Sequence, residues 1–213
     1  MYTTLLFIKE FSERLPNKNF LDFGGKPLYR SIIDKLLNFN DTDQIIINTD
    51  SEKILDQLAG LNKIQLQRRS KELCGNDKVA NDLIMEMIPA AKNENILQTH
   101  VTNPLLTLNV IKKAILFYEK NGRKRSLFSV TRCLKRYYSE NCEPLNHDPR
   151  KLRMLQNVKP IFEENSCIYL FSKSLFYKYR NRLCYDPLLF EIPTVDAVDI
   201  DTEIEYKLAK QYL

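Results

Sequence analysis

The feature that most constrains the fold of this chain is a regular alternation of short apolar runs with longer helical patterns. The apolar runs predict β-strands at residues 5–8, 44–50, 64–67, 95–99 and 126–130. Between them lie amphipathic segments such as the one after Pro27, in which Ile32, Ile33 and Leu36 recur at the helical period. This alternation is typical of an α/β fold, with a mostly parallel sheet and helices on both faces.

The alternation stops between residues 131 and 160. This stretch is polar, contains Pro144, Pro149 and Pro160, and has no helical stripe of useful length. We therefore interpret 131–160 as a hairpin or arm that protrudes from a single domain of residues 1–213. Strand and helix patterns return after it at residues 167–171, 174–179, 188–190 and 202–212.

Composition and charge limit the class of protein. Hydrophobic residues make up 44% of the 213 residues, which is enough to build one packed domain. No apolar run approaches the ~20 residues of a membrane span, and the N-terminus lacks a signal-peptide pattern, so no membrane partner is expected. Five scattered cysteines without a C-x-x-C pair fit a reducing cytoplasm. The net charge is +5, but Arg123-Lys124-Arg125 is the one tight basic cluster; we interpret it as a solvated turn rather than a nucleic-acid site.

Polar loops follow several predicted strands, at the edge where open α/β sheets bind their ligands. The loop after the first strand carries Lys9, Arg14 and Lys18, which suit an anion. It also carries Glu10 and Glu13, which do not. We expect this loop to face a negatively charged ligand.

Asp199 and Asp201 form a second candidate site. They are two residues apart in an extended segment, so their side chains are expected on one side, ~7 Å apart along the chain. Paired carboxylates suit Mg²⁺, which prefers oxygen ligands and often bridges to substrate phosphates. The alternative is that Asp201 only favours the start of the following helix and Asp199 is a surface residue.

Three further polar segments leave predicted strands. Residues 48–50 could contact a ligand or form the turn into the next helix. Arg68 and Arg69 could meet a phosphate or remain solvated, and His100 could orient a substrate or play a structural role. Residues 164–166, before a strand, leave the same two possibilities open.

Taken in order, these segments resemble the acylneuraminate cytidylyltransferases, also called CMP-sialic acid synthetases. The first loop matches the family pattern at Ser12, Pro16, Lys18 and Asn19, and the ending Asp-Ile-Asp-Thr is present at 199–202. Weaker matches, spread over nearly the whole chain, are residues 25–28, 49–50, 69–73, 100–105 and 165–169.

The resemblance implies a Rossmann-like nucleotidyltransferase fold that joins CTP to a nine-carbon acidic sugar and releases pyrophosphate with Mg²⁺. The residues that it places around CTP are Lys9, Ser12, Arg14, Lys18, Asn19, Arg69 and Asn81. Those that it places at the sugar are His100, Thr102, Asn103 and Asn165. Asp199 and Asp201 would be the catalytic and metal-holding pair. The arm 131–160 corresponds to a dimerisation region, which implies a homodimer in which the arm completes the partner's sugar site.

The chain departs from the family pattern in the first loop. Lys9 replaces an arginine, Phe11 a glycine and Glu13 a lysine; residues 154–157 also differ from the Arg-Thr-Gln-Asp of many relatives. Two other functions therefore stay open. One is a catalytically impaired relative that binds a sugar or a partner, and the other is a cytidylyltransferase for 3-deoxy-octulosonate.

Overall fold

The computed structural model describes residues 1–74, 78–151 and 154–213. Its strands are β1 (Tyr2–Ile8), β2 (Thr42–Thr49), β3 (Ile64–Arg68), β4 (Asn95–Gln98), β5 (Leu127–Cys133), β6 (Ile161–Ser172) and β7 (Leu188–Glu191). Its α-helices are α1 (Arg30–Leu37), α2 (Glu52–Leu58), α3 (Ala80–Met87), α4 (Leu108–Lys120), α5 (Lys173–Tyr179) and α6 (Glu203–Lys210). The predicted strands and helices are present, with shifted ends. The largest shift is in β6, which begins at Ile161 rather than at 167, so residues 164–166 lie within this strand and not before it.

The strands form one seven-stranded sheet in the order β3-β2-β1-β4-β6-β5-β7. Neighbouring pairs are parallel except that β6 runs antiparallel to both β4 and β5. The exception has a simple cause: β5 and β6 are joined by the arm rather than by a crossover helix, and a hairpin connection makes strands antiparallel. The prediction of a mostly parallel α/β sheet is confirmed.

Helices cover both faces of the sheet. Leu6 and Ile8 of β1 point to one face, where they belong to the same buried cluster as apolar residues of α1, α2 and α4. Leu5 points to the other face and packs in a cluster with Ile84 of α3 and Phe176 of α5. Because β1 is buried on both sides, its sequence is a continuous apolar run rather than an alternating one.

The arm begins as an extension of the β5–β6 pair. Thr131 to Cys133 pair with Glu163 to Ile161, beyond the positions at which β4 and β7 pair with their neighbours. A short antiparallel bridge joins Tyr138 to Pro144 further out. Residues 152–153 of the predicted arm lie outside the described residues. In the described ranges, no helix is long and apolar enough to cross a membrane.

Candidate active site

A cavity of about 460 Å³ opens at the carboxyl end of β1. The charged side chains along it are five cations and three acids: Lys9, Arg14, Lys18, Arg69, Arg182, Glu13, Asp199 and Asp201. Ser12, Asn19, His100 and Thr102 also line it. Ten of the residues predicted for the site, which are widely separated in sequence, are thus brought together.

The loop after β1 is held by polar contacts to the rest of the domain. The Asn19 side-chain amide donates to the Lys9 carbonyl oxygen at 2.7 Å, and the Glu10 amide donates to Asp50 Oδ1 at 2.8 Å. Asn17 adopts the left-handed conformation with φ of 55°, which asparagine tolerates, and the chain turns there into a short 3₁₀ helix. Phe11 points away, with 75% of its surface exposed.

Asp201 is paired with two cations of this loop. Lys18 Nζ lies 2.7 Å from Asp201 Oδ1, and an Arg14 guanidinium nitrogen lies 2.8 Å from Oδ2. Burial alone would raise the pKa of Asp201, but the hydrogen bond and charge of Lys18, with those of Arg14, outweigh it and hold the pKa below its usual value. Asp201 is therefore ionised at neutral pH and joins the first loop to the C-terminal segment.

The start of α6 fixes the position of Asp201. Glu205 Oε2 accepts hydrogen bonds from the backbone amides of Asp201 at 2.8 Å and Thr202 at 2.7 Å. Thr202 Oγ1 accepts from the Glu205 amide in return, so the capping box is complete. One residue before Asp201, the Ile200 amide donates to the Thr102 carbonyl oxygen at 2.9 Å.

Asp199 lies deeper than Asp201. Its Oδ1 is buried and has no hydrogen-bond partner among the residues that the structure describes. Burial raises the pKa of Asp199, and the neighbouring charge of Asp201 adds to this, while a hydrogen bond with Thr102 opposes it. A buried, unpartnered carboxylate oxygen next to a second carboxylate fits a hard divalent cation. Asp199 and Asp201 are a pair only: among the described residues, this site included, no group of three or more His, Cys, Asp or Glu side chains is arranged to hold a metal ion.

Arg69 is a buried cation at the base of the cavity, 6% exposed. Its Nε donates to Asn48 Oδ1 at 2.7 Å, and one terminal nitrogen donates to the Ile8 carbonyl oxygen at 3.2 Å. Burial lowers the pKa of Arg69, yet an arginine keeps its charge. Its neighbour Arg68 instead pairs with Glu52 at the surface. Residues 48–50 thus support the site by holding Arg69 and, through Asp50, the first loop.

His100 lies on the β4 side of the cavity. Its ring meets Phe7 edge-on at 5.9 Å, and its Nε2 lies 2.8 Å from Gln98 Nε2. Burial, with the nearby charges of Arg182 and Lys18, lowers the pKa of His100 to about 3. The imidazole is therefore neutral at physiological pH.

Arg182 is a cavity residue that the sequence interpretation missed. Its guanidinium lies over the Tyr169 ring at 3.5 Å, and one nitrogen donates to Gln98 Oε1 at 2.6 Å. Arg182 reaches the cavity because β6 runs antiparallel to β4, so that α5 returns toward the carboxyl end of β4. No local sequence signal marks such a residue, whereas polar Gln98 at the end of an apolar strand could have been noticed.

Three predicted residues do not line this cavity. Asn81 accepts a hydrogen bond from the Arg182 amide at 3.1 Å, and Asn103 donates to the Val198 carbonyl oxygen at 3.3 Å. Asn165 accepts from Ser129 Oγ at 2.6 Å and lines a neighbouring cavity of about 390 Å³. The two cavities share Ser166 and Asp199.

The chain is similar to known cytidylyltransferases. A family model described as cytidylyltransferase matches residues 11–211. The pseudaminic acid cytidylyltransferase of Campylobacter jejuni strain 81-176 is 26% identical over 93% of this chain and 90% of its own length. The 3-deoxy-manno-octulosonate cytidylyltransferase of Francisella tularensis subsp. novicida is 26% identical over 76% of this chain and 59% of its own length.

Solved structures show the same fold. A CMP:2-keto-3-deoxy-manno-octonic acid synthetase complexed with CTP has a TM-score of 0.70 at 13% identity, covering 100% of this chain and 98% of its own. The 4-diphosphocytidyl-2C-methyl-D-erythritol synthase of Anaerococcus prevotii has a TM-score of 0.71 at 13% identity, covering 99% and 97%. The family model spans nearly the whole sequence, and we conclude that this chain belongs to the cytidylyltransferase family of nucleotidyltransferases.

Proposed function

We propose that the protein transfers CMP from CTP to a sialic-acid-like nine-carbon sugar acid and releases pyrophosphate. The observation that carries this proposal is the cavity at the carboxyl end of β1, where the Asp199–Asp201 pair faces Arg14, Lys18 and Arg69. Excess positive charge beside two carboxylates suits a triphosphate. The relative that matches over most of both chains acts, by its name, on pseudaminic acid, which favours this sugar class over 3-deoxy-octulosonate.

The protein's part in the reaction is positioning and charge neutralisation. The sugar hydroxyl attacks the α-phosphorus in line with the departing pyrophosphate, and the protein forms no covalent bond in this step. Arg14, Lys18 and Arg69 converge on the cavity and would neutralise phosphate oxygens. Arg69 is already fixed by Asn48 and the end of β1, so little side-chain entropy is lost when it binds.

Asp199 and Asp201 would hold Mg²⁺. When bound, this ion would offset phosphate charge and lower the pKa of the attacking hydroxyl. Mg²⁺ commonly takes one or two protein carboxylates together with substrate phosphates and waters, which agrees with a site of two aspartates. Asp199 offers its buried, unpartnered Oδ1 for this purpose.

The sugar acid would occupy the side of the cavity formed by His100 and Thr102 and extend toward Asn165 in the neighbouring cavity. We propose that the arm 131–160 mediates a homodimer. Leu145 and Tyr138 of the arm are 59% and 53% exposed, and a partner subunit would cover them.

The decisive experiment measures pyrophosphate release. Purified protein is incubated with CTP, Mg²⁺ and a panel of nonulosonic acids that includes pseudaminic acid, with 3-deoxy-octulosonate in parallel. We expect release with a nonulosonic acid. Release with 3-deoxy-octulosonate alone would support the second enzyme class, and CTP binding with no turnover on any acid would support the impaired, binding-only protein.

Asp199→Asn is the matching variant, because it keeps size and removes charge. We expect turnover to fall by about 100-fold or more, with a smaller loss of CTP affinity. Asp56→Asn on the exposed side of α2 is the control and should keep wild-type turnover. Equal turnover in Asp199→Asn and wild type would contradict the assigned role.

A further inference from the structure

Three side chains form a hydrogen-bonded chain behind the substrate side of the cavity. An Arg182 guanidinium nitrogen donates to Gln98 Oε1 at 2.6 Å, and Gln98 Nε2 lies 2.8 Å from His100 Nε2. Gln98 Nε2 also lies 3.3 Å from the Thr99 carbonyl oxygen. Gln98 itself is completely buried, so its amide has no access to water as an alternative partner.

The chemistry of the first group sets the direction of the whole chain. A guanidinium has only donors, so the Gln98 atom that faces it must be the carbonyl oxygen. The Gln98 amino group must then face His100, and an amino group also only donates. His100 Nε2 is therefore the acceptor, and in a neutral imidazole the proton lies on the other nitrogen.

We propose that Arg182, acting through Gln98, fixes His100 as the Nδ1–H tautomer, so that His100 offers the cavity one hydrogen-bond donor. Arg182 and Gln98 are thus positioning residues that determine which substrate atoms His100 recognises. The assignment does not depend on which family the chain belongs to, since it follows from donors and acceptors in this chain alone.

Arg182 is itself held firmly enough to fix the orientation of Gln98. Its guanidinium lies over the Tyr169 ring at 3.5 Å, and a second nitrogen lies 3.6 Å from Glu164 Oε1. Its backbone amide donates to Asn81 Oδ1 at 3.1 Å. The Tyr169 hydroxyl donates to the same Glu164 carboxylate, which closes a network around the guanidinium.

The surroundings of His100 keep it neutral. The pKa of His100 is lowered to about 3 by burial and by the cations Arg182 and Lys18. The contact of the His100 ring with Gln98 is made by Nε2, and His100 lines the cavity. A single N–H in this place suits an oxygen acceptor, such as a carboxylate or carbonyl oxygen of the sugar acid; this last step rests on the proposed function.

Histidine NMR tests the tautomer directly, in the ligand-free protein. The chain has two histidines, His100 and His147, so ¹⁵N-histidine labelling gives two patterns that a His147→Gln variant assigns. At pH 8 we expect the His100 pattern to show a protonated Nδ1 and an unprotonated Nε2. The opposite pattern, or an equal mixture, would overturn the proposal.

Gln98→Glu is the sharpest variant. The glutamate keeps the pairing with Arg182 but has acceptor oxygens only when ionised, so it forces His100 Nε2 to become the donor. We expect the Nε2–H tautomer at pH 8 and a KM for the sugar acid about tenfold higher, the cost of one lost hydrogen bond. The KM for CTP should stay within about twofold. An unchanged Nδ1–H pattern would contradict the role of Gln98.

Arg182→Met tests the first member of the chain. Without the guanidinium the Gln98 amide can turn over, so the His100 signals should shift toward a mixture of tautomers. Arg180→Met is the matched control, because Arg180 is exposed in the same loop and should leave the pattern unchanged. A pure Nδ1–H pattern in folded Arg182→Met would show that Arg182 does not determine the tautomer of His100.

The two proposals fail separately. If the tautomer is as stated but no sugar acid supports pyrophosphate release, the proposed function is wrong and the hydrogen-bond chain stands. If pyrophosphate is released but wild-type His100 carries its proton on Nε2, this inference is wrong and the function stands.

Discussion

Among single residues, Glu13 has the charge that fits an anionic ligand least. It lines the cavity together with Lys9 and Arg14. A like charge about 4 Å from a phosphate costs about 1 kcal/mol in water and about four times that near a protein surface. Because Glu13 is exposed, we expect the lower figure to apply.

We therefore predict that Glu13→Lys strengthens CTP binding by about tenfold in calorimetry with Mg²⁺. Glu13→Gln should give a smaller gain in CTP affinity, which separates the loss of negative charge from the gain of positive charge. Asp56→Lys makes the same reversal on the exposed side of α2 and should change the affinity little. Equal gains in Glu13→Lys and Asp56→Lys would show that only net charge matters.

Arg69 contributes both to the stability of the domain and to the lining of the cavity. Its three hydrogen bonds hold Asn48 Oδ1 and the carbonyl oxygens of Ile8 and Asn48. Lysine lacks the planar fork, so Arg69→Lys leaves buried acceptors unsatisfied.

We predict that Arg69→Lys lowers the free energy of unfolding by about 2 kcal/mol and weakens CTP binding, as measured by urea unfolding and calorimetry. Arg68→Lys, in an exposed pair with Glu52, should cost less than about 0.5 kcal/mol. Similar losses for the two neighbours would mean that burial of Arg69 contributes nothing.

At the scale of elements, the start of α6 holds one of the two candidate metal ligands. Glu205 Oε2 accepts from the amides of both Asp201 and Thr202. Glu205→Ala removes both contacts and half of the capping box, which typically costs about 1 kcal/mol. We predict this loss in urea unfolding, together with lower turnover because Asp201 is no longer fixed. Glu203→Ala, two residues earlier and in a pair with exposed Lys207, should change neither quantity appreciably. Wild-type turnover in Glu205→Ala would show that this cap is not needed to position Asp201 for the reaction.

The elements also show what the sequence could and could not reveal. Hydrophobic periodicity predicted the strands and helices because burial decides both. The capping box at Thr202 was predictable from spacing, since it depends on residues three apart. Arg182 was not, because it reaches the cavity only through the antiparallel course of β6 between β4 and β5. Nor could the sequence show that Asn165 lies outside the main cavity. Its side-chain oxygen instead accepts a hydrogen bond from Ser129.

At the scale of the whole molecule, the protonation of His100 makes the free energy of unfolding depend on pH. The folded-state pKa of His100 is lowered to about 3, whereas in the unfolded chain it is close to 6.5. Between these values the unfolded state binds more protons, so stability falls as pH drops below about 6.5. Asp201, whose pKa is lowered, adds to this loss only near and below the unfolded aspartate value of about 3.9, and the raised pKa of Asp199 acts in the opposite direction.

We predict that between pH 7.5 and 5.5 wild type loses about 1 kcal/mol of unfolding free energy that His100→Gln does not lose. Glutamine can accept from Gln98 without titrating, so the variant should fold and isolate the proton linkage. His147→Gln is the control, because His147 lies in the arm and should leave the pH dependence of wild type intact. Urea unfolding at the two pH values measures the difference, and parallel pH curves for wild type and His100→Gln would show that His100 is protonated in the folded state as easily as in the unfolded one.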